Sequence, residues 1–234
     1  MKPELLDIEI FPPFAGFPKQ GIKFLNQLKK NNNREWFAKH KPEYEDFVKL
    51  PMQSLIGSLQ APMAKLAPDF DIHPKRSMFR IYRDTRFSNN KAPYKTHVAA
   101  VFHRKGHWQQ SAGFYIGIEP GLVDLGGGIY MPDSKQLKKI RTALVDDAKE
   151  FLTIVEEPKF RKRFGGLLGE KLKRTPRGFP ADHWMAEWLK YKSFYTGDEW
   201  GEDASYSPKF VDKIVGLYKD LLPLVRFLNK ALES

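Results

Sequence analysis

Apolar positions near the start of the chain recur at helical spacing. Ile22, Leu25 and Leu28 fall three apart on one stripe, and Asn31-Asn32-Asn33 then interrupts the run. Asn33 is a good N-cap for a second helix opening Arg34-Glu35-Trp36-Phe37. A third helix is expected to begin near Pro42, a residue suited to a first turn, and to carry Tyr44, Phe47, Met52, Leu55, Ile56 and Leu59. Pro51 should bend or divide it.

Near Phe79 the period shortens to two. Phe79, Ile81, Thr85 and Phe87 would share one face of a strand, with Arg80, Tyr82, Asp84 and Arg86 on the other. Ser88-Asn89-Asn90 reads as a turn, and a second strand is expected over about 96–103, closed by the turn Arg104-Lys105-Gly106. Strands at 114–118 and 122–125 flank Glu119-Pro120-Gly121 as a hairpin. Four consecutive strands with short turns predict an antiparallel meander.

Helical spacing returns after Met131-Pro132. Asp133 or Ser134 caps a helix containing Leu137, Ile140, Arg141 and Leu144, and short helices are expected at 147–156, 158–164 and 181–190. A final helix over 208–232 aligns Phe210, Ile214, Leu217, Leu221, Leu224, Val225 and Leu228. Helices on either side of a run of strands predict an α+β fold. Its sheet, antiparallel or mixed and of about four or more strands, sits in the middle of the chain, packed by N-terminal and C-terminal helices. No repeat, low-complexity tract or linker divides the sequence, so one domain over 1–234 is expected.

Composition supports a packed core, with 41% hydrophobic and 14% aromatic residues. The absence of cysteine excludes a disulfide framework, a thiolate zinc site and a cysteine nucleophile. Met1-Lys2-Pro3-Glu4-Leu5-Leu6-Asp7 has acids and proline where a signal peptide needs an apolar run, and no stretch is long enough to cross a bilayer. A cytoplasmic protein without a membrane partner is expected.

The net charge of +11 is concentrated in two places. Residues 75–105 carry +8 and residues 159–177 carry +7, leaving the rest of the chain at −4. A concentrated basic surface points to an acidic partner, nucleic acid being the commonest. The second block is read as a solvated face.

Within the first block the chemistry is dense. Arg80, Arg83, Arg86 and Lys91, with Asp84 and Asn90 among them and Tyr94 and Lys95 at the edge, form a candidate anion site. Arginine presents a rigid fork of donors matched to phosphate or carboxylate. Side chains two apart on a strand sit about 7 Å from one another, so Asp84 could hold an arginine fork while others face outward. Asp84 among arginines should have a depressed pKa, suited to holding geometry. Arg83 would fall on the apolar face with Phe79 and Ile81 and needs a partner there, unless a bulge brings it round to the others.

Other candidates carry less. Arg34 and Trp36 read as a helix start and core aromatic before they read as ligand contacts. Gly126-Gly127-Gly128 precedes Ile129-Tyr130 and a proline, without the helix and Lys-Ser/Thr of a phosphate loop, so the glycines read as a bulge or as room for a close backbone approach, the arginine cluster included. His97 and His103 share parity, and His107 lies just past the turn. Their spacing matches no strong metal motif and the positive surroundings repel a cation, so no metal is expected. No G-x-S-x-G, H-E-x-x-H or dinucleotide fingerprint occurs, so no catalytic residue and no cofactor is assigned.

The pattern R-x-x-R-D-x-R-F-x-x-N-K-x-x-Y is filled by Arg80, Arg83, Asp84, Arg86, Phe87, Asn90, Lys91 and Tyr94. It resembles the signature of the DUF2461 family of bacterial proteins. The resemblance extends to Asn32-Asn33-Arg34-Glu35-Trp36-Phe37 upstream and to Gly128-Ile129-Tyr130-Met131-Pro132 downstream. That family is uncharacterised, so the resemblance implies no activity and no catalytic residue. Three readings follow from the residues: a site for a phosphate-bearing small molecule, a nucleic-acid-binding module that stacks bases on Tyr82, Phe87, Tyr94 and Phe102, and a purely structural ion-pair network. Oligomeric state is not set by the sequence.

Overall fold

The structure, a computed structural model, describes residues 11–86, 88–107 and 110–233. Helix α1 (Lys19–Lys30) buries Ile22, Phe24, Leu25 and Leu28 on the stripe its spacing implies. The Asn33 side chain accepts a hydrogen bond from the Trp36 amide and caps α2 (Arg34–Lys39). A continuous helical run follows: α3 (Lys41–Tyr44), a π-helical turn (Glu45–Lys49), and α4 (Leu50–Leu66). Pro51 cannot donate to the Phe47 carbonyl, so the disruption it demands is absorbed in the wide turn just before it. The Phe47 carbonyl lies instead against Gly21 of α1.

Strands β1 (Val98–Phe102), β2 (Gly113–Glu119), β3 (Leu122–Ile129) and β4 (Phe194–Trp200) form one antiparallel sheet in the order 1-2-3-4. Their register sets Ala100 opposite Ile116, Ile116 opposite Leu125 and Phe114 opposite Gly127. One face is therefore apolar, and it meets the last helix, α9 (Phe210–Glu233). Tyr218 is fully buried there, stacked on Phe114 at 4.7 Å with its hydroxyl donating to the Tyr115 carbonyl. Buried Asn229 accepts from the Ala112 amide (2.9 Å) and donates to its carbonyl (3.2 Å). Losing these bonds would strand two buried backbone groups at about 1–3 kcal/mol each. Between β3 and β4 lie α5 (Ser134–Asp146), α6 (Ala148–Val155), α7 (Pro158–Phe164) and the single turn α8 (Ala186–Leu189). An Asp133–Gln136 capping box opens α5. No helix among the described residues is long and apolar enough to cross a membrane.

The α+β class and the four-strand antiparallel sheet agree with the sequence pattern, but the four strands are not the four expected. Residues 79–86 form no regular strand, the chain bending at Ile81 and turning at Arg86, and Phe87 lies outside the described residues. The segment touches β1 through Phe79 N–H to the Ala99 carbonyl, then folds back on itself at an isolated Tyr82–Tyr94 bridge. Charged side chains on both faces leave little to bury, and Pro93 cannot donate to a ladder. The fourth strand is β4, which the residue pattern did not announce: Gly197, Asp198 and Glu199 are poor strand formers, and pairing with β3 imposes the conformation. The expected helix at 181–190 contracts to α8.

The triple glycine extends β3 to Ile129 instead of ending it near Leu125. A Cβ at Gly127 would sit 3.2 Å from Leu221 and Val225, so that glycine lets α9 approach the sheet. Gly128 has φ +130°, and a Cβ there would run into the Phe194 carbonyl and lie 2.6 Å from the Tyr195 Cα. The close approach is real, but it is made by α9 and β4 and not by the arginine cluster.

Candidate anion site

The segment from Met78 to Arg86 starts on the outer edge of β1, at Met78 and Phe79, and then pairs at Tyr82 with the chain returning through 88–95. Arg83 N–H donates to the Pro93 carbonyl (2.9 Å) and Lys95 N–H to the Ile81 carbonyl (2.8 Å), which makes Tyr82 and Tyr94 a close, non-hydrogen-bonded cross-strand pair. Their rings lie 5.4 Å apart. Asn32, just before the Asn33 cap, closes the assembly: its side chain accepts from the Tyr94 amide and donates to the Tyr94 carbonyl, both at 3.0 Å. Phe37 then stacks on Tyr94 at 4.1 Å. Two segments more than forty residues apart in sequence, 32–37 and 80–95, are thereby one structure.

The eight candidate residues divide by what they touch. Asp84 takes two bonds from the Arg86 guanidinium (3.0 and 2.7 Å) and one from the Arg86 amide. Arg83 reaches the Ala92 carbonyl, Lys91 donates to the Thr85 carbonyl at 3.0 Å, and Asn90 accepts from the Ala92 amide. These five shape the loop. Tyr94 is buried in the aromatic pile. Arg80 and Lys95 remain. Arg80 is exposed, the half-buried Lys95 ammonium sits over the Phe79 ring at 4.8 Å, and neither has a carboxylate within ion-pair distance among the described residues.

Electrostatics sharpen that division. Burial, and then the Arg80 charge, push the Lys95 pKa down. The Arg86 side-chain bonds, and then its amide, lower Asp84 from the ordinary 3.8 to about 2. That pair contributes fully above the ordinary carboxylate pKa, and its contribution is lost as pH falls through about 2. An NMR titration should find the Asp84 midpoint near 2 in the protein and clearly higher in Arg86→Gln, which loses the guanidinium bonds but keeps the amide bond. A wild-type midpoint at the ordinary 3.8 would show the pair broken in solution.

Two further residues, Arg34 and Tyr44, join the site. Arg34 sits in the first turn of α2, where the helix dipole disfavours a cation, without an ion pair among the described residues; its field reaches Tyr94. Tyr44 is buried beside Phe37 at 5.5 Å, and its hydroxyl is pushed up by burial first, then by Glu45 and Tyr82. Neither the Tyr44 nor the Tyr94 hydroxyl makes a hydrogen bond among the described residues. Tyr44 was legible only as a core position of its helix, and no local signal separates the two roles.

The second basic block lies elsewhere. Lys159 and Arg163 pair with Asp220 of α9, Lys171 lies near Glu187, and Lys192 pairs with Glu170. This block flanks β4 through Leu168 N–H to the Tyr195 carbonyl and Thr196 to the Gly166 carbonyl. It is thus at the opposite edge of the sheet from Arg80, at least about 14 Å away by three inter-strand spacings. His97, His103 and His107 belong to no metal-holding group of three or more His, Asp or Glu among the described residues. The broader clefts, along α1 near Tyr206 and between α6 and α9, include no residue of the arginine loop.

The arrangement brings Arg80 and Lys95 and the ring of Tyr94 to one part of the molecule, with Arg34 close enough for its charge to act on Tyr94. A family described as "Conserved hypothetical protein (DUF2461)" matches residues 20–227, a range containing both segments of the site. No curated protein matches the chain.

Proposed function

The chain belongs to the DUF2461 family, and from that footing we propose that it binds a phosphate-bearing small molecule at the Arg80–Lys95 surface. The observation that carries this reading is the placing of two cations, exposed Arg80 and half-buried Lys95 over the Phe79 ring, with no carboxylate within ion-pair distance of either among the described residues. The Arg80 charge adds to burial in lowering the Lys95 pKa. An anion between or beside them relieves both costs, and the arginine fork suits phosphate oxygens. The bound loop around Arg83, Asp84, Arg86, Asn90 and Lys91 supports it by holding Arg80 on a defined backbone.

Calorimetric titration of inorganic phosphate and sugar phosphates tests the reading. Arg80→Ala should weaken binding about tenfold or more, the worth of one charge-assisted bond, and leave the melting temperature of the free protein unchanged. Equal affinity in Arg80→Ala and the wild type would overturn it. Salt separates this site from the nucleic-acid-binding reading. Binding through many phosphates falls steeply with ionic strength, whereas a compact phosphate site responds weakly. The position of the second basic block at the far sheet edge lends no support to a single extended basic track.

A further inference from the structure

We infer that the molecule taken at this surface is a nucleotide, its phosphate on Arg80 and its base against the Tyr82 ring; the inference rests on the anion reading above. Tyr82 is the observation beyond that reading. It is 53% exposed, unusual for a large aromatic side chain, yet its ring is fixed from behind. Tyr94 lies at 5.4 Å and Phe37 at 6.5 Å from it, and those two are stacked on each other. An exposed ring held by buried rings loses little freedom when a second planar group covers it.

Arg80 and Tyr82 flank the buried Ile81, and both side chains are exposed to solvent. A cation and an open ring on either side of one buried residue suit a phosphate and a base joined by one sugar. The phenol groups of Tyr44 and Tyr94 make no hydrogen bond among the described residues, and the rings of Tyr44, Tyr82 and Tyr94 all pack around Phe37. Phenols both donate and accept, as sugar hydroxyls and base edges require. Arg34 supplies a second cation from the α2 side, its field reaching Tyr94. Every base has a π-face, so this platform selects for a base without selecting which.

The test compares inorganic phosphate, ribose 5-phosphate and nucleoside 5′-monophosphates by calorimetry on the full chain and on Tyr82→Phe, Tyr82→Ala and Arg80→Ala. Nucleoside monophosphates should bind about tenfold or more tighter than ribose 5-phosphate, from base stacking on one ring. Tyr82→Phe should keep that difference. Tyr82→Ala should abolish it while ribose 5-phosphate binds as before, and circular dichroism shows that each variant is folded. Nucleotide and ribose 5-phosphate binding the wild type equally would overturn the nucleotide and leave the anion reading standing. No binding by any of the three would overturn both. A short single-stranded oligonucleotide distinguishes the sources of the same chemistry: affinity no better than the monophosphate assigns a free nucleotide, and tighter, steeply salt-dependent binding assigns the end of a strand.

Discussion

Gly128→Ala is expected to cost more than about 3 kcal/mol, a large part of the 5–15 kcal/mol that holds a typical domain folded. Two penalties coincide at this position. The backbone sits at φ +130°, where a side chain is strained whatever the space around it, and a Cβ would meet the Phe194 carbonyl and the Tyr195 Cα, which are backbone and cannot rotate away. The β3–β4 pairing must open at Gly128–Tyr195, at the end of the ladder closed by Ile129–Phe194. A melting temperature lower by about 6 °C or more follows for a chain of this size. Gly216, in α9 with nothing within 4 Å of its Cβ position and no positive φ, supplies the opposite sign. Gly216→Ala should stabilise by about 0.5–1 kcal/mol through helix propensity alone. Equal melting temperatures for the two variants would refute the packing account of the triple glycine.

Asn32→Ala should cost about 2–4 kcal/mol, because it strands the Tyr94 amide and carbonyl together in a partly buried place. The effect on the site is larger than the loss of stability. Without the two-point bond the Phe37 ring contacts are left to hold 92–95 near α2, so the backing of Tyr82 and the shape of the Arg80 surface loosen. Hydrogen exchange at the Tyr94 amide reports this directly: slow in the wild type, fast in the variant. Asn32→Asp keeps an acceptor for the amide but sets a carboxylate against the carbonyl, and should recover only part of the protection. Protection unchanged in Asn32→Ala would mean the two segments are held together by something other than this amide.

The readings that survived were local ones. The stripe of Ile22, Leu25 and Leu28, the Asn33 cap, the hairpin around Pro120 and the long C-terminal helix each depend on neighbours within a few residues, which periodicity and capping preferences encode. The strand expected at Phe79 failed because alternation of residue types is necessary for a strand and not sufficient; with charges on one face and Arg83 interrupting the other, no sheet could bury it. The β4 strand failed in the opposite sense, since its weak propensity was overruled by the register with β3.

By itself the chain determined an α+β protein with its helices outside a central antiparallel sheet, and it concentrated the chemistry between Arg80 and Lys95. Only the tertiary structure decided which of those residues are braces and which are left as cations. Asp84 belongs to Arg86 two residues away, but Tyr94 belongs to Asn32 sixty-two residues away, and the backing of Tyr82 comes from Phe37 on α2. The physical reason is range. Helix faces and caps are set by contacts a few residues long, whereas strand partners, stacked rings and counterions are chosen by which distant segments the packed core brings into reach, and one-dimensional spacing carries no record of that choice.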